Sequence, residues 1–127
     1  MNTVLNRIFR KPLKNKISKK VDFSAILMVY KSQNGAWRGF AHPYNVTTEF
    51  DNRDKTISVL KEQVEAYEEG LRKYNNPEHL RSVPFSNVED EQMFSRLILS
   101  GGLYKTLLNE GKITASDYYA ETQRVQA

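Results

Sequence analysis

His42 and His79 are the only histidines in the chain, and neither has a partner at the His-x-x-x-His spacing that turns two imidazoles toward one metal. Both stand among turn-forming residues, which assigns them to turns or to the surface. The chain has no cysteine, so it has no thiolate zinc site, iron–sulfur cluster, disulfide or cysteine nucleophile. Serines, histidines and acids are all present, but a Ser-His-Asp triad is a geometry, and no nucleophile-elbow motif announces one. Gly101 and Gly102 run into Leu-Tyr-Lys instead of Lys-[Ser/Thr], so they read as a hinge or a close helix contact and not as a phosphate loop. No cofactor or metal is expected, and the chain reads as a non-enzyme.

Binding chemistry is better represented. Trp37, Arg38, Phe40, His42 and Tyr44 gather aromatic rings and a guanidinium on one short stretch, the usual ingredients of an interface anchor. Trp37, Arg38 and Tyr44 are therefore candidate partner-binding residues. The competing reading has Trp37 and Phe40 pointing into the core with Arg38 and Tyr44 meeting solvent, because a small sheet needs its large rings for stability.

The second candidate is the N-terminal arm. Residues 1–20 carry Arg7, Arg10, Lys11, Lys14, Lys16, Lys19 and Lys20 with no acid, so a chain of net charge +4 consists of a basic arm on a mildly acidic body. Val4, Leu5, Ile8, Phe9, Leu13 and Ile17 recur at steps of three and four, the spacing of one apolar stripe on a helix. Pro12 lacks an amide proton and ends such a helix near Arg10 or Lys11. Arg7, Phe9, Arg10, Lys11 and Lys14 are the arm's candidate contacts. Four roles compete for it: a solubilising terminus, a segment that docks on a protein partner, a nucleic-acid contact through counterion release, and a membrane-surface or organelle-targeting segment. A secretory signal is not expected, since no uninterrupted apolar stretch precedes a small-residue cleavage site.

These residues need elements to position them. With 127 residues and 14.7 kDa the chain suits one domain, and 39% hydrophobic with 27% charged residues is a globular composition. No apolar run is long enough for a membrane-spanning helix, and the lack of cysteine is compatible with a reducing compartment, so a cytoplasmic protein is expected. Val21–Ser32 alternates as a strand covered on both faces, and the Asn34-Gly35 turn leads to a second strand over Ala36–Ala41. After the His42-Pro43-Tyr44 break, Asn45–Phe50 is a third strand. Ile57, Leu60, Val64, Tyr67, Leu71 and Tyr74 then form the stripe of a long amphipathic helix capped by Asp51, Asn52 or Asp54. His79–Ser86 is expected as a fourth, edge strand, ended by Pro84. Capping boxes at Ser86/Glu89 and Thr114/Asp117 predict two further helices, the first broken at Gly101-Gly102 and stopped at Gly111, the second carrying Tyr118, Tyr119 and Val125. The expectation is an α+β fold: a three-to-four-stranded antiparallel sheet covered by one helix. The boundaries are an arm at 1–20, a βββαβ core at 21–86 and a helical extension at 87–127. The sheet's second face must then be polar, covered by the C-terminal helices, or paired with another subunit, which leaves a homodimer through that face or an edge strand open.

The order strand, Asn-Gly turn, strand, Pro-bearing break, strand and Glu-rich helix over Ala25–Tyr74, AILMVYKSQNGAWRGF through EEGLRKY, resembles the HicB-like family. That resemblance implies a truncated RNase H-like core and an antitoxin-like protein that covers a partner protein. Two family features are missing: the acidic double-proline segment is reduced to His42-Pro43-Tyr44, and no ribbon-helix-helix module follows. Nuclease chemistry on such a core would need converging carboxylates, where the strands offer only Asp22 and Glu49. The resulting expectation is a protein-binding, antitoxin-like or inhibitory module using its sheet and basic arm. The alternatives are nucleic-acid binding through residues 1–20 and a small structural subunit of a large assembly.

Overall fold

The computed structural model describes residues 23–124. The candidate contacts Arg7, Phe9, Arg10, Lys11 and Lys14 lie outside the described residues, as do Asp22 and Val125. The first three strands follow the expectation: β1 (Phe23–Lys31), β2 (Trp37–His42) and β3 (Val46–Phe50) form an antiparallel meander. The β1–β2 hairpin turns where Gly35 takes φ 93°, a value that lacks steric cost only without a Cβ. Asn34 Oδ1 accepts the Ala36 amide at 3.0 Å and holds the turn.

The long helix α1 (Arg53–Lys73) starts at Asn52, whose side chain accepts the Lys55 amide at 2.8 Å. Its buried positions are Thr56, Leu60, Val64, Glu68 and Leu71, a stripe displaced from the expected one, with Glu68 standing among apolar residues. It packs on one face of the sheet against Ala25, Leu27, Val29 and Ala41. Gly39 lets it come that close. A Cβ on Gly39 would lie 3.1 Å from Thr56 Cγ2, 3.2 Å from Leu60 Cδ2 and 3.3 Å from Val29 Cγ2, and all three neighbours are fully buried with little room to move. Gly39→Ala is therefore expected to overpack this layer and lower stability by about 1–3 kcal/mol. A denaturation midpoint equal to wild type would show that the helix stands further off than described.

After α1 the chain departs from expectation. His79–Ser86 is not a fourth strand. It contains a single helical turn, α2 (Glu78–Arg81), followed by an irregular run tied to the β2–β3 connection by two bonds, Val83 N–H to Pro43 C=O at 2.8 Å and Asn45 Nδ2 to Ser86 Oγ at 3.0 Å. Pro84 cannot donate to a ladder, and Glu78, His79, Leu80 and Arg81 are all exposed, so no sheet face exists for this segment to cover. Next, α3 (Val88–Met93) continues into a π-helical turn over Phe94–Leu99, and α4 (Leu103–Glu110) ends at Gly111 with φ 85°. The N-cap of α3 is Asn87, which accepts the Asp90 amide at 2.9 Å. Ser86 instead accepts Asn45 Nδ2, and Glu89 accepts Ser32 Oγ and the Gln33 amide.

The helix expected from Thr114 is also absent. Lys112–Thr114 and Tyr118–Arg124 are strands β4 and β5, joined by a turn closed by Ala115 N–H to Tyr118 C=O. Pairing with β1 decides the outcome: β5 runs antiparallel beside it from Tyr30↔Tyr118 to Phe23↔Arg124. The extension at 87–127 is thus not purely helical, and the sheet has five strands in the order β3-β2-β1-β5-β4. Its second face packs Ile26, Met28, Tyr30, Phe40 and Ala120 against Phe94, Ile98 and Leu107. β1 is buried from Ala25 to Tyr30 because helices lie on both faces. Among the described residues the second face is closed by α3, the π turn and α4.

Candidate functional site

Two buried carboxylates anchor the helices to the sheet. Asp90, at the start of α3, is 0% exposed and receives Arg38 in a fork, Nε to Oδ1 at 2.7 Å and Nη2 to Oδ2 at 2.8 Å. The Tyr30 hydroxyl donates to the same Oδ1 at 2.8 Å. The bidentate hydrogen bond raises the Arg38 pKa, and burial followed by the bond to Asp90 pushes the Tyr30 hydroxyl far above its ordinary range. Glu49, at the end of β3, reaches Arg38 Nη1 at 3.5 Å. On the opposite face Glu68 Oε2 accepts Ser24 Oγ and Tyr44 Oη, both at 2.5 Å, and its Oε1 accepts Gln123 Nε2 at 3.2 Å. Tyr44 is pushed up to about 12, by burial first and by Glu68 second. Each of these carboxylates has both oxygens engaged by the fold. Among the described residues no three His, Asp or Glu side chains converge as metal ligands.

The aromatic stretch is divided between these two layers. Strand alternation sends Trp37 to the α1 side, half-buried with the Lys31 ammonium 5.6 Å and the Arg53 guanidinium 6.0 Å from its ring. Arg38 goes to the other side and is clamped on Asp90. Tyr44 is buried against Glu68 instead of meeting solvent. Trp37, Arg38 and Tyr44 therefore do not share one exposed surface.

The structure assembles a different cluster. An apolar groove of about 380 Å³ opens between the start of β1, the end of β2, the π turn and the start of α4. Phe23 forms one wall and meets Tyr104 edge-on, with ring centroids 6.1 Å apart. Phe85 and Phe94 form the other wall, both edge-on to Phe40 beneath them. The His42 ring stacks on Phe85 at 5.2 Å and lies 4.4 Å from Phe94. Leu99 is 63% exposed and Tyr104 45% exposed at the mouth. The π turn, closed by Ser100 N–H to Ser95 C=O at 2.8 Å, points Phe94 and Ile98 into the core while leaving Leu99 outside. Gly101 permits the tight exit, because a Cβ there would lie 2.7 Å from the Arg96 carbonyl oxygen. Among the described residues Glu91 is the only acid in the lining, and no Lys or Arg joins it.

Sequence reasoning gave His42 to a turn or the surface and passed over Phe85, Phe94 and Tyr104 as a set. They come from four separate elements, and no local spacing unites them. Burial lowers the His42 pKa. A histidine whose folded pKa is depressed contributes stability that is present above its unfolded value, 6.5, and lost as pH falls through that value toward the folded one. The thermal midpoint is expected to drop as pH falls below about 6.5, and His42→Gln should flatten that part of the profile. An unchanged profile would contradict burial of the ring.

Comparison with family models, with curated proteins and with solved structures finds no match to this chain.

Proposed function

We propose that the protein is a non-enzymatic protein-binding module, antitoxin-like or inhibitory as the HicB-like resemblance implies, and that the groove is its docking surface. The observation that carries this reading is the groove itself: aromatic walls with two large side chains, Leu99 and Tyr104, left exposed together at its mouth. Exposed Leu and Tyr at the rim of an aromatic-lined cleft are the makings of an interface hot spot. With one acid and no base in the lining among the described residues, the groove suits a partner segment that combines apolar anchors with positive charge. The buried carboxylates support a binding role over a catalytic one, since their oxygens are all spent on holding α1 and α3 in place.

The test is recovery of a stoichiometric protein partner with the tagged full chain from its native cells, with and without nuclease, followed by affinity measurement on the identified partner. Tyr104→Asp is expected to weaken binding at least tenfold, while Tyr74→Asp, on an exposed residue at the end of α1, leaves it unchanged. Equal binding by both variants would remove the groove from the function. The seven acid-free cations of residues 1–20 favour a second reading, nucleic-acid binding through the arm. That reading predicts nuclease-sensitive recovery that falls steeply with salt and is indifferent to Tyr104.

A further inference from the structure

We propose that the outer edge of β3 pairs with β3 of a second copy, so that the sheet continues across a two-fold axis into an antiparallel dimer. The two edges of the sheet differ. β4 has three residues and opens on Lys112, a short, charged edge of the kind that resists pairing. β3, at the other end, has five residues, Val46-Thr47-Thr48-Glu49-Phe50, four of them β-branched or aromatic and none a lysine or proline. Its ladder with β2 runs from Ala41↔Val46 to Trp37↔Phe50 with no bulge to turn the edge away. Among the described residues no further strand takes up the N–H and C=O groups that every second residue of β3 turns outward.

The strand is complementary to itself, which selects a second copy as the occupant. A two-fold axis at its middle residue sets Thr48 opposite Thr48 of the second copy, Val46 opposite Phe50 and Thr47 opposite Glu49. Val46 and Phe50 lie on the α1 face with their β2 neighbours Ala41 and Trp37, and each half-buried side chain gains an apolar neighbour across the new ladder. Glu49, the only charge on the strand, lies on the other face. This register sets it against a threonine hydroxyl, and Arg38 Nη1 already holds it at 3.5 Å. In-register parallel pairing would instead put the two Glu49 carboxylates side by side. On the α1 face the approach meets no charge either: the flank of α1 opposite the Lys61–Glu121 bridge to β5 carries Val59, Gln63, Ala66 and Gly70. No β3 residue lines the groove, so the dimer presents two open grooves and gains avidity for a partner with two matching segments.

Sedimentation of the full chain across the micromolar range is expected to give twice 14.7 kDa. The chain has no cysteine, so Thr48→Cys introduces a single thiol for cross-linking. The axis brings its two copies to the Cα separation of facing antiparallel residues, about 4.5–5.5 Å, which a disulfide can span. On mild oxidation Thr48→Cys should form a covalent dimer at least tenfold faster than Val46→Cys, whose thiol faces Phe50 of the second copy. Thr47→Glu opposes Glu49 of the second copy and should raise the dimer dissociation constant at least tenfold, whereas Thr47→Lys should not. Circular dichroism at the wild-type value identifies the folded variants, and if Thr47→Glu is not among them the cross-linking contrast decides. A mass of 14.7 kDa at every concentration overturns the proposal. So does a dimer in which Thr48→Cys cross-links no faster than Val46→Cys, or one that folded Thr47→Glu leaves intact or Thr47→Lys loosens equally. Tyr104→Asp should leave the dimer unchanged, so that the groove and the edge fail separately; loss of the dimer in that variant places the contact at the groove and overturns the β3 pairing.

Discussion

Arg38→Ala is expected to remove about 3–5 kcal/mol of stability, because it strands a carboxylate that has no access to water. Asp90 is 0% exposed, and its remaining side-chain donor would be the single Tyr30 hydroxyl. A typical domain has about 5–15 kcal/mol in total, so the loss is a large part of what holds the chain folded. The destabilisation belongs to the orphaned charge and not to the worth of the pair. Replacing the whole cluster with apolar residues, Arg38→Met with Asp90→Leu and Tyr30→Phe, should therefore recover most of the loss. Removing Arg38 and Asp90 alone would leave the Tyr30 hydroxyl without an acceptor. Urea unfolding of the single and triple variants checks both parts. A loss under about 1 kcal/mol for Arg38→Ala would place Asp90 in contact with solvent.

The second large effect is expected at Glu68. This carboxylate joins α1 to β1 through Ser24, to the β2–β3 connection through Tyr44 and to β5 through Gln123. Glu68→Ala leaves the Tyr44 hydroxyl and the Gln123 amide without an acceptor, while Ser24 Oγ keeps the Gln123 carbonyl at 3.3 Å; Tyr44, 7% exposed, is the least able to find water. The expected cost is about 2–4 kcal/mol, with Tyr44→Phe in the Glu68→Ala background returning about 1 kcal/mol by removing the worst of them. The alkaline side carries a related signature. A tyrosine whose folded pKa is raised contributes stability that is complete below the unfolded value, 10.0, and is lost as pH climbs through about 12 for Tyr44. Tyr30 and Tyr119 are raised as well and act with the same sign, so Tyr44→Phe should soften the alkaline loss without abolishing it. An additive Glu68→Ala and Tyr44→Phe pair, with no recovery, would show that the hydroxyl has another acceptor.

Both carboxylates show where sequence reading stops. The three-strand meander and α1 were legible because their signals are local: alternation in Ala25–Tyr30, an Asn-Gly turn, and a 3.6-residue period closed by an Asn cap. Glu68 lies four residues after Val64 and three before Leu71, inside the stripe's own period. Sequence reasoning gave that position to Tyr67 and sent Glu68 to the polar face, since a charge belongs in water unless partners exist, and its partners come from distant strands. β5 was illegible for the same reason. Its Tyr-Tyr start and the Thr114/Asp117 spacing look like a helix N-terminus, but pairing of Phe23 with Arg124 across nearly the whole described chain outweighs that local preference. The reading of His79–Ser86 as an edge strand ended by Pro84 fails: the segment holds one helical turn and no strand.

The same contrast explains the binding residues. Trp37, Arg38 and Tyr44 are close in sequence, but the sheet separates Arg38 from the other two, and Arg38 and Tyr44 are consumed by Asp90 and Glu68. Phe23, Phe85, Phe94 and Tyr104 are scattered in sequence and meet only when β1, the α2–α3 connection, the π turn and α4 converge. With these charges buried, Phe23, Phe85 and Tyr104 line an apolar cleft over the buried Phe94, and that cleft is the proposed docking surface.

Amide hydrogen exchange of the full chain, alone and with its captured protein partner, tests that claim most directly. The account predicts added protection in the π turn and the start of α4, over residues 94–105, and around Phe85, with β3 unchanged. Protection confined to the β3 edge, or no change across residues 94–105, would contradict it.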